Sequence, residues 1–440
     1  MPYPYQITDS GGLAPAFPLA HYGPYEYIDP VSGGNTLYVV FPETVAGPIS
    51  QIRVWESTDD GVTWAEVDPG DRITTATNYY DAQVVLEDNT LHIAYLDSSN
   101  QINIKPFDMA TRSYGANISG GPTVAINAFD PVTPQARKFG LVRLSTGTYV
   151  VHYQTNENVG GTNYTRVYYA TYSGGWSAGT QVDTNNTGLA RYSGLLGIAL
   201  GTSDRVHFIW WDQTWWSFMT RSRSSGGTLS SIHNVNSDLF AAPYGNPLSA
   251  PITYEDPCGN DVIALAYGHY GLGTYAELSA TTLKPAHVEF RSEENARFRK
   301  DVYPLTTDGP SDYDPTGDDQ AMSLLWDEDT ATLYAFWASK GGATGADYKI
   351  MHAANEGAGW GTPVMLFNAG SGSDPANFRV SRVWARKIQA GVGIIINCET
   401  TGYYYDQPYY WQGSLSATAP AFCPGDSSPA TNYGRYGYFG

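Results

Sequence analysis

The sequence predicts an all-β chain: one seven-bladed β-propeller of four-stranded antiparallel blades over residues 1–413, its N-terminal strand closing the last blade. Three observations predict it. An apolar, aromatic segment recurs seven times, short strand-like segments flank most copies, and 47 Gly with 27 Pro in 440 residues supply turns rather than long helices.

The recurring segments are Leu37–Phe41, Leu91–Leu96, Tyr149–Tyr153, Val206–Trp210, Val262–Tyr267, Leu333–Trp337 and Val392–Asn397. Their starts lie 54, 58, 57, 56, 71 and 59 positions apart, so the period is regular except in one interval. Strands are expected before them at Ala82–Leu86, Phe139–Leu144, Leu195–Leu200, Ala321–Trp326 and Val380–Ala385. Others should come after them at Gln51–Glu56, Gln101–Pro106, Arg166–Thr171, Ser217–Ser222 and Tyr348–Ala353. A fourth, outer strand is expected at Trp64–Val67, Ser177–Asp183, Ile232–Val235, Val288–Arg291 and Val364–Phe367. Alternation with period two is incomplete, as for inner strands covered on both faces by neighbouring blades. The last unit offers only three strands, and Tyr3–Thr8 reads as the missing one; pairing the two ends of the chain would remove an exposed edge.

Composition narrows the function classes. A formal charge of −19 and the lack of a basic run exclude a nucleic-acid backbone as partner. Cys258, Cys398 and Cys423 have no zinc-site spacing, and an odd number cannot complete a disulfide framework. The first twenty residues carry Asp9 and several prolines instead of a basic start and an apolar core, so no secretory signal is expected, and no stretch is apolar enough to span a bilayer. A virion or extracellular surface is the favoured location over the cytoplasm.

Between the third and fourth strands of the first unit stands Ser57-Thr58-Asp59-Asp60-Gly61-Val62-Thr63-Trp64. It matches S-x-D-x-G-x-T-W at every fixed position and resembles the Asp-box, or BNR repeat, of sialidase-like propellers. Weaker copies are Asn355-Glu356-Gly357-Ala358-Gly359-Trp360 in the sixth unit and Ser173-Gly174-Gly175-Trp176 in the third. The resemblance implies a peripheral turn in which the Asp accepts backbone amides, the Gly takes a left-handed conformation and the Trp packs between blades. It therefore implies a structural role for Asp59 and Trp64.

Loops joining second to third strands open on one face of a propeller, which is the expected binding face. Its candidate ligand-binding residues are Trp211, Asp212, Trp215 and Trp216, then His269 and Tyr270, then Tyr403, Tyr404 and Tyr405. Flat aromatic rings there suit sugar faces or a protein surface; the alternative is that each ring wedges blades together. Sialidase-like chemistry, as the resemblance implies it, needs three arginines around a carboxylate. The first should stand near the start of the first blade, yet no Arg precedes Arg53, which lies inside a strand. Arg143, Arg191 and Arg382 could reach a central face. Related lyase propellers pair His with Tyr: His92, His152, His207 and His352 fall in strands and read as core, leaving His269 beside Tyr270 as the better base.

The long interval holds an insertion, about Glu293–Gln320, in which Asp312, Asp314 and Asp318 could coordinate calcium through hard oxygens or form a solvated acidic loop. No cofactor is otherwise expected. Residues 414–440 form a Gly/Pro/aromatic tail expected to dock on a neighbouring subunit or partner. The leading reading is a non-enzymatic recognition or assembly module for glycan or protein, with an Asp-box glycoside hydrolase or polysaccharide lyase as the alternative.

Overall fold

The computed structural model describes residues 5–7, 22–44, 50–75, 82–124, 139–159, 162–183, 196–212, 217–234, 251–255, 261–270, 283–291, 303–304, 322–341, 347–355, 364–368, 378–400 and 406–415. These residues form strands and one 3-10 turn, Thr202–Asp204. β1 is Tyr5–Gln6. The first group of strands is β2 (Tyr25–Ile28), β3 (Asn35–Thr44), β4 (Ser50–Ser57), β5 (Ala65–Glu66) and β6 (Ile73–Thr75). The second is β7 (Ala82–Glu87), β8 (Thr90–Leu96), β9 (Ile102–Asp108) and β10 (Ser113–Tyr114). The third is β11 (Phe139–Arg143), β12 (Tyr149–Val159), β13 (Thr162–Tyr172) and β14 (Thr180–Gln181). The fourth is β15 (Leu196–Leu200), β16 (Val206–Asp212), β17 (Ser217–Arg223) and β18 (His233–Asn234). The fifth is β19 (Ile252–Glu255), β20 (Asp261–Tyr270), β21 (Leu283–Arg291) and β22 (Tyr303–Pro304). The sixth is β23 (Met322–Asp327), β24 (Thr332–Gly341), β25 (Asp347–Asn355) and β26 (Val364–Asn368). The last is β27 (Phe378–Ile388), β28 (Gly391–Thr400) and β29 (Asp406–Gly413), completed by β1.

Every pairing is antiparallel, and each group runs in chain order from its first strand outward. All seven recurring apolar segments are second strands, which explains their composition: each is flanked within its sheet and sandwiched between neighbouring sheets. The first strands succeed one another around a ring, β7 beside β11, β11 beside β15, then β19, β23 and β27, with β27 returning to β2. This is an all-β propeller.

The expectation of seven separate blades is corrected to six separate sheets among the described residues. The first and last strand groups fall in one sheet across the seam, while the chain's two ends meet inside the last group, where β1 pairs with β29. Closure uses the N-terminal strand as predicted: Tyr5 pairs with Tyr410 and Gln6 with Tyr409, and the Ile7 N–H donates to the Pro408 carbonyl at 2.9 Å. A second correction concerns the fifth group. Val288–Arg291, expected as an outer strand, is the end of the third strand β21, and the outer strand β22 falls inside the expected insertion. Residues 271–282 between β20 and β21 set the two strands further apart in sequence than in other groups, so an outer strand placed by the regular period lands on β21 instead.

The core is a series of apolar layers between sheets rather than one central mass. Val142, Val150, Ile198 and Phe208 join the third and fourth groups, and Ala94, Ile104, Phe139 and Val151 join the second and third. At the seam, Trp384 of β27 packs edge-on to Tyr22 at 5.3 Å and against Phe41 of β3 at 6.4 Å. Each fully buried aromatic of this kind contributes about 1.5–3 kcal/mol of transfer free energy.

The turn after β4 has the predicted chemistry. Asp59 Oδ1 accepts the Thr63 N–H at 2.8 Å, its Oδ2 accepts the Thr63 hydroxyl at 2.6 Å, and Ser57 Oγ accepts the Gly61 N–H at 2.8 Å. These bonds, the Thr63 side chain foremost, hold the Asp59 carboxyl below its usual range. Gly61 has φ +82°, and a Cβ there would overlap the Tyr410 ring. Trp64 donates its indole N–H to the Gly61 carbonyl at 2.9 Å and meets Tyr410 edge-on at 5.4 Å. Trp64 thus packs across the seam. In the third group, Trp176 instead donates to the Ser119 carbonyl of the second at 3.1 Å. Residues 356–360 of the sixth-unit copy lie outside the described residues.

Candidate functional site

An antiparallel group entered at its inner strand places first-to-second hairpins and third-to-fourth turns on one face of the ring. Second-to-third loops and group-to-group connections lie on the other. The two faces differ in chemistry.

On the hairpin face, charged and polar side chains tie consecutive groups together. Between the second and third, Arg143 pairs with Glu87 and lies 5.3 Å over the Tyr149 ring, while the Tyr149 hydroxyl and His92 Nδ1 share a hydrogen bond of 2.9 Å. Between the third and fourth, Asp204 accepts the Ser145 N–H at 2.7 Å and the Ser145 hydroxyl at 2.6 Å. Between the fourth and fifth, Asp261 accepts the N–H and hydroxyl of Thr202 at 2.8 and 2.6 Å and stands 3.5 Å from His207 Nε2. Between the sixth and last, Lys387 pairs with Asp327 and Asp329. Across the seam, the Gln389 N–H donates to Glu26 at 2.7 Å.

These clasps set the protonation states. Burial pushes His92 down to about 4 and also lowers His207, so both imidazoles are neutral near pH 7. Burial alone would raise Asp261, but hydrogen bonds from His207 and Thr202 outweigh it and hold the carboxyl low. Asp327 is likewise held low by Lys387 and Thr330 against the opposing effect of burial, and Lys387 is raised in turn.

Three of the four strand histidines expected in the core are buried there, and His352 is half-buried. His92, His152 and His207 are buried, and each Nδ1 has a partner: Tyr149, the Gly197 carbonyl at 3.1 Å, and Ser222 Oγ at 3.0 Å. His352, in β25, donates to the Val364 carbonyl at 3.2 Å. Arg53 is buried in β4 and, with Arg72, engages Glu66; Arg112 engages Glu56. Arg143 is held by Glu87. The sequence reading missed Glu87, Asp261 and Asp327 as partners, although an acidic residue bordering three first-to-second hairpins was the available signal.

On the opposite face, the structure places part of the expected site. Trp211 and Asp212 are the last two residues of β16, paired with Phe218 and Ser217. His269 and Tyr270 end β20, paired with Lys284 and Leu283. Both pairs were expected in loops; they stand on strand ends because those hairpins keep their ladders beyond the core. Sharing the outward end of a second strand, they lie on the same face. Trp210, the neighbour of Trp211, is core, 2% exposed, so at that position the wedging role is the observed one. The described turn on this face, after β8, is closed by Asp97, whose Oδ1 accepts the N–H groups of Ser99 and Gln101 at 2.8 and 3.0 Å. Trp215, Trp216, Tyr403, Tyr404 and Tyr405 lie outside the described residues, as do Asp312, Asp314, Asp318, Arg191 and residues 416–440 of the tail. Among the described residues no cluster of His, Cys, Asp and Glu could hold a metal ion, and no helix is long and apolar enough to cross a membrane.

No protein-family model matches the chain, and no curated protein matches it in sequence. Solved structures do resemble it. A polysaccharide lyase, PL25 ulvan lyase bound to -[GlcA(1-4)Rha3S]-, superimposes with a TM-score of 0.54 at 9% identity, over 93% of this chain and 96% of the lyase. The two chains share a propeller fold. The polysaccharide lyase Uly1 covers 93% of this chain and 98% of its own at 8% identity and a TM-score of 0.48. For the Trypanosoma rangeli sialidase in complex with 2,3-difluorosialic acid the values are 92%, 57%, 10% and 0.42.

Proposed function

We propose that this chain is a carbohydrate-active propeller that engages a polysaccharide on the face of the second-to-third strand loops and cleaves it by a lyase reaction. One observation carries the reading: the polar side chains described on the hairpin face are committed to inter-group clasps, whereas Trp211, Asp212, His269 and Tyr270 end their strands at the opposite face. The shared fold with an ulvan lyase supports it. In this reading Trp211, with Trp215, Trp216 and Tyr403–Tyr405, supplies sugar-stacking rings. His269 removes the proton beside a uronate carboxylate. The C–O bond to the leaving sugar breaks, its oxygen takes a proton, and a carbon–carbon double bond remains. The Ser57–Trp64 turn supports kinship with Asp-box propellers.

The test is to incubate the protein with ulvan and with other uronate and neutral polysaccharides. Ultraviolet absorbance of unsaturated ends and the yield of reducing ends are followed together. Lyase action gives both signals, and His269→Ala abolishes them while Trp211→Ala weakens them. Reducing ends without absorbance would replace the lyase by a hydrolase.

A second reading, glycan recognition without cleavage, is favoured by a separate observation. Arg53, Arg72, Arg112 and Arg143 are spent on Glu66, Glu56 and Glu87, so none of these four is available to a substrate carboxylate. Binding to a glycan array with neither product signal would establish that reading.

A further inference from the structure

Three of the five exposed large hydrophobic residues described stand on the hairpin face of one strand group. Ile28 and Val31, 44% and 94% exposed, belong to the end of β2 and the turn after it, and Val62, 45% exposed, belongs to the turn after β4. The two turns are neighbours: burial raises the Glu26 carboxyl in β2, and the charge of Asp60, two residues before Val62, raises it further. Residues 28–35 and 57–64 carry Asp29, Asp59 and Asp60 and no Lys or Arg. Each turn is held by its own bonds. Asp29 accepts the Val31 N–H at 2.8 Å and the Ser32 hydroxyl at 2.6 Å, as Asp59 accepts those of Thr63. The patch is therefore preformed, with apolar side chains set among acidic ones, which is the composition of a docking site.

The chain itself supplies an occupant. β29 runs toward this same face and ends at Gly413, which pairs with Val392, three residues from the Gln389 N–H that donates to Glu26 at 2.7 Å. The ring of Tyr410, in β29, lies against Gly61 in the turn that carries Val62. Ser414 is four residues beyond Tyr410, so the described chain leaves β29 within about 15–20 Å of the patch at the rise of a strand. Residues 416–440 follow with five aromatic side chains, and from Ser427 onward Arg435 is the only charged one. We infer that the segment around Arg435 docks on this patch of its own chain, its aromatic rings covering Ile28, Val31 and Val62 and its guanidinium meeting the aspartates. Positions 415 and 433 are 18 apart, and a flexible stretch of that length spans about 21–25 Å, enough to reach. So short a tether holds the segment at about millimolar local concentration. A second copy's segment arrives only at bulk concentration, and against a net charge of −19 on each molecule. The docking is independent of the carbohydrate reading, because the patch lies on the face opposite the ends of β16 and β20.

Arg435 is the single trypsin site in residues 416–440, and cleavage after it tracks the undocked fraction. Release of the peptide that begins at Tyr436 is timed by mass spectrometry on the full chain, from about 1 to about 100 μM, a range that spans weak association. The wild type should be cut slowly, at a rate constant indifferent to its concentration. Val31→Ser combined with Asp60→Asn should be cut about tenfold faster, the change that a loss of ~1.4 kcal/mol of docking free energy produces. Both substitutions spare the fold, since Val31 is almost fully exposed and Asn suits the φ of +57° at Asp60. Val364→Ser, at an exposed residue of the sixth group, should leave the rate unchanged. Deleting residues 416–440 should speed amide exchange at residues 28–34 and 58–63 and leave residues 87–90 as they were. Equal cleavage of the wild type and the double variant, or exchange indifferent to the deletion, would overturn the inference. Protection that grows with protein concentration would assign the segment to a neighbouring copy and overturn it likewise.

Discussion

Asp261, the first residue of β20, stands 3.5 Å from the buried imidazole of His207 in the preceding strand group and accepts both the N–H and the hydroxyl of Thr202. One carboxylate therefore fastens the hairpin of one group to the second strand of the next. Asp261→Ala leaves the Thr202 N–H and hydroxyl without their acceptor and removes the carboxylate beside the buried His207 imidazole; losing such a partly buried charged acceptor costs about 1–3 kcal/mol. Urea unfolding should show that loss. Asp261→Asn, which keeps an acceptor oxygen, should lose less.

The buried histidines give a pH dependence. His92 is held at about 4 when folded, below the ordinary 6.5, so between those values the unfolded chain binds a proton that the folded chain refuses. Stability should therefore fall as pH drops from about 6.5 toward 4. The expected loss from His92 is about 1–2 kcal/mol after allowance for solvent screening. Melting temperatures measured across that window should decline for the wild type and less steeply for His92→Gln.

Gly61 is fixed by two independent demands, its φ of +82° and the Tyr410 ring that any added Cβ would overlap. Gly61→Ala should cost about 2–4 kcal/mol, adding backbone strain to overpacking. Combining it with Tyr410→Ala should relieve the clash but not the strain, so the two effects should be non-additive in a double-mutant cycle.

Deleting residues 1–7 removes the strand that pairs with β29 and the buried Ile7. The edge of β29 is then unpaired, and such an edge invites association. A lower melting temperature and aggregation on heating are expected, monitored by calorimetry and light scattering.

Much of this architecture was legible because a second strand covered on both faces must be a continuous apolar run, as Leu91–Leu96 and Val392–Asn397 are, and such runs count the groups directly. The seam was legible from the shortage of one strand at the end. Val288–Arg291 was misread because register beyond a long connection is set by pairing with β20 rather than by spacing. The clasps were illegible because Glu87 with Arg143, or Asp261 with His207, are partners only once neighbouring groups are set side by side. Trp210 and Trp211 show the limit at the binding face: adjacent and identical in type, one is core and the other stands at the end of its strand.

The central claim is that ligand is met on the face where β16 and β20 end, not on the clasped hairpin face. Hydrogen exchange with and without ulvan oligosaccharide addresses it most directly. The account predicts slowed exchange in the segments immediately after Asp212 and Tyr270, with residues 87–90 and 201–205 unchanged. Protection confined to those hairpins, or none anywhere at saturating oligosaccharide, would contradict it.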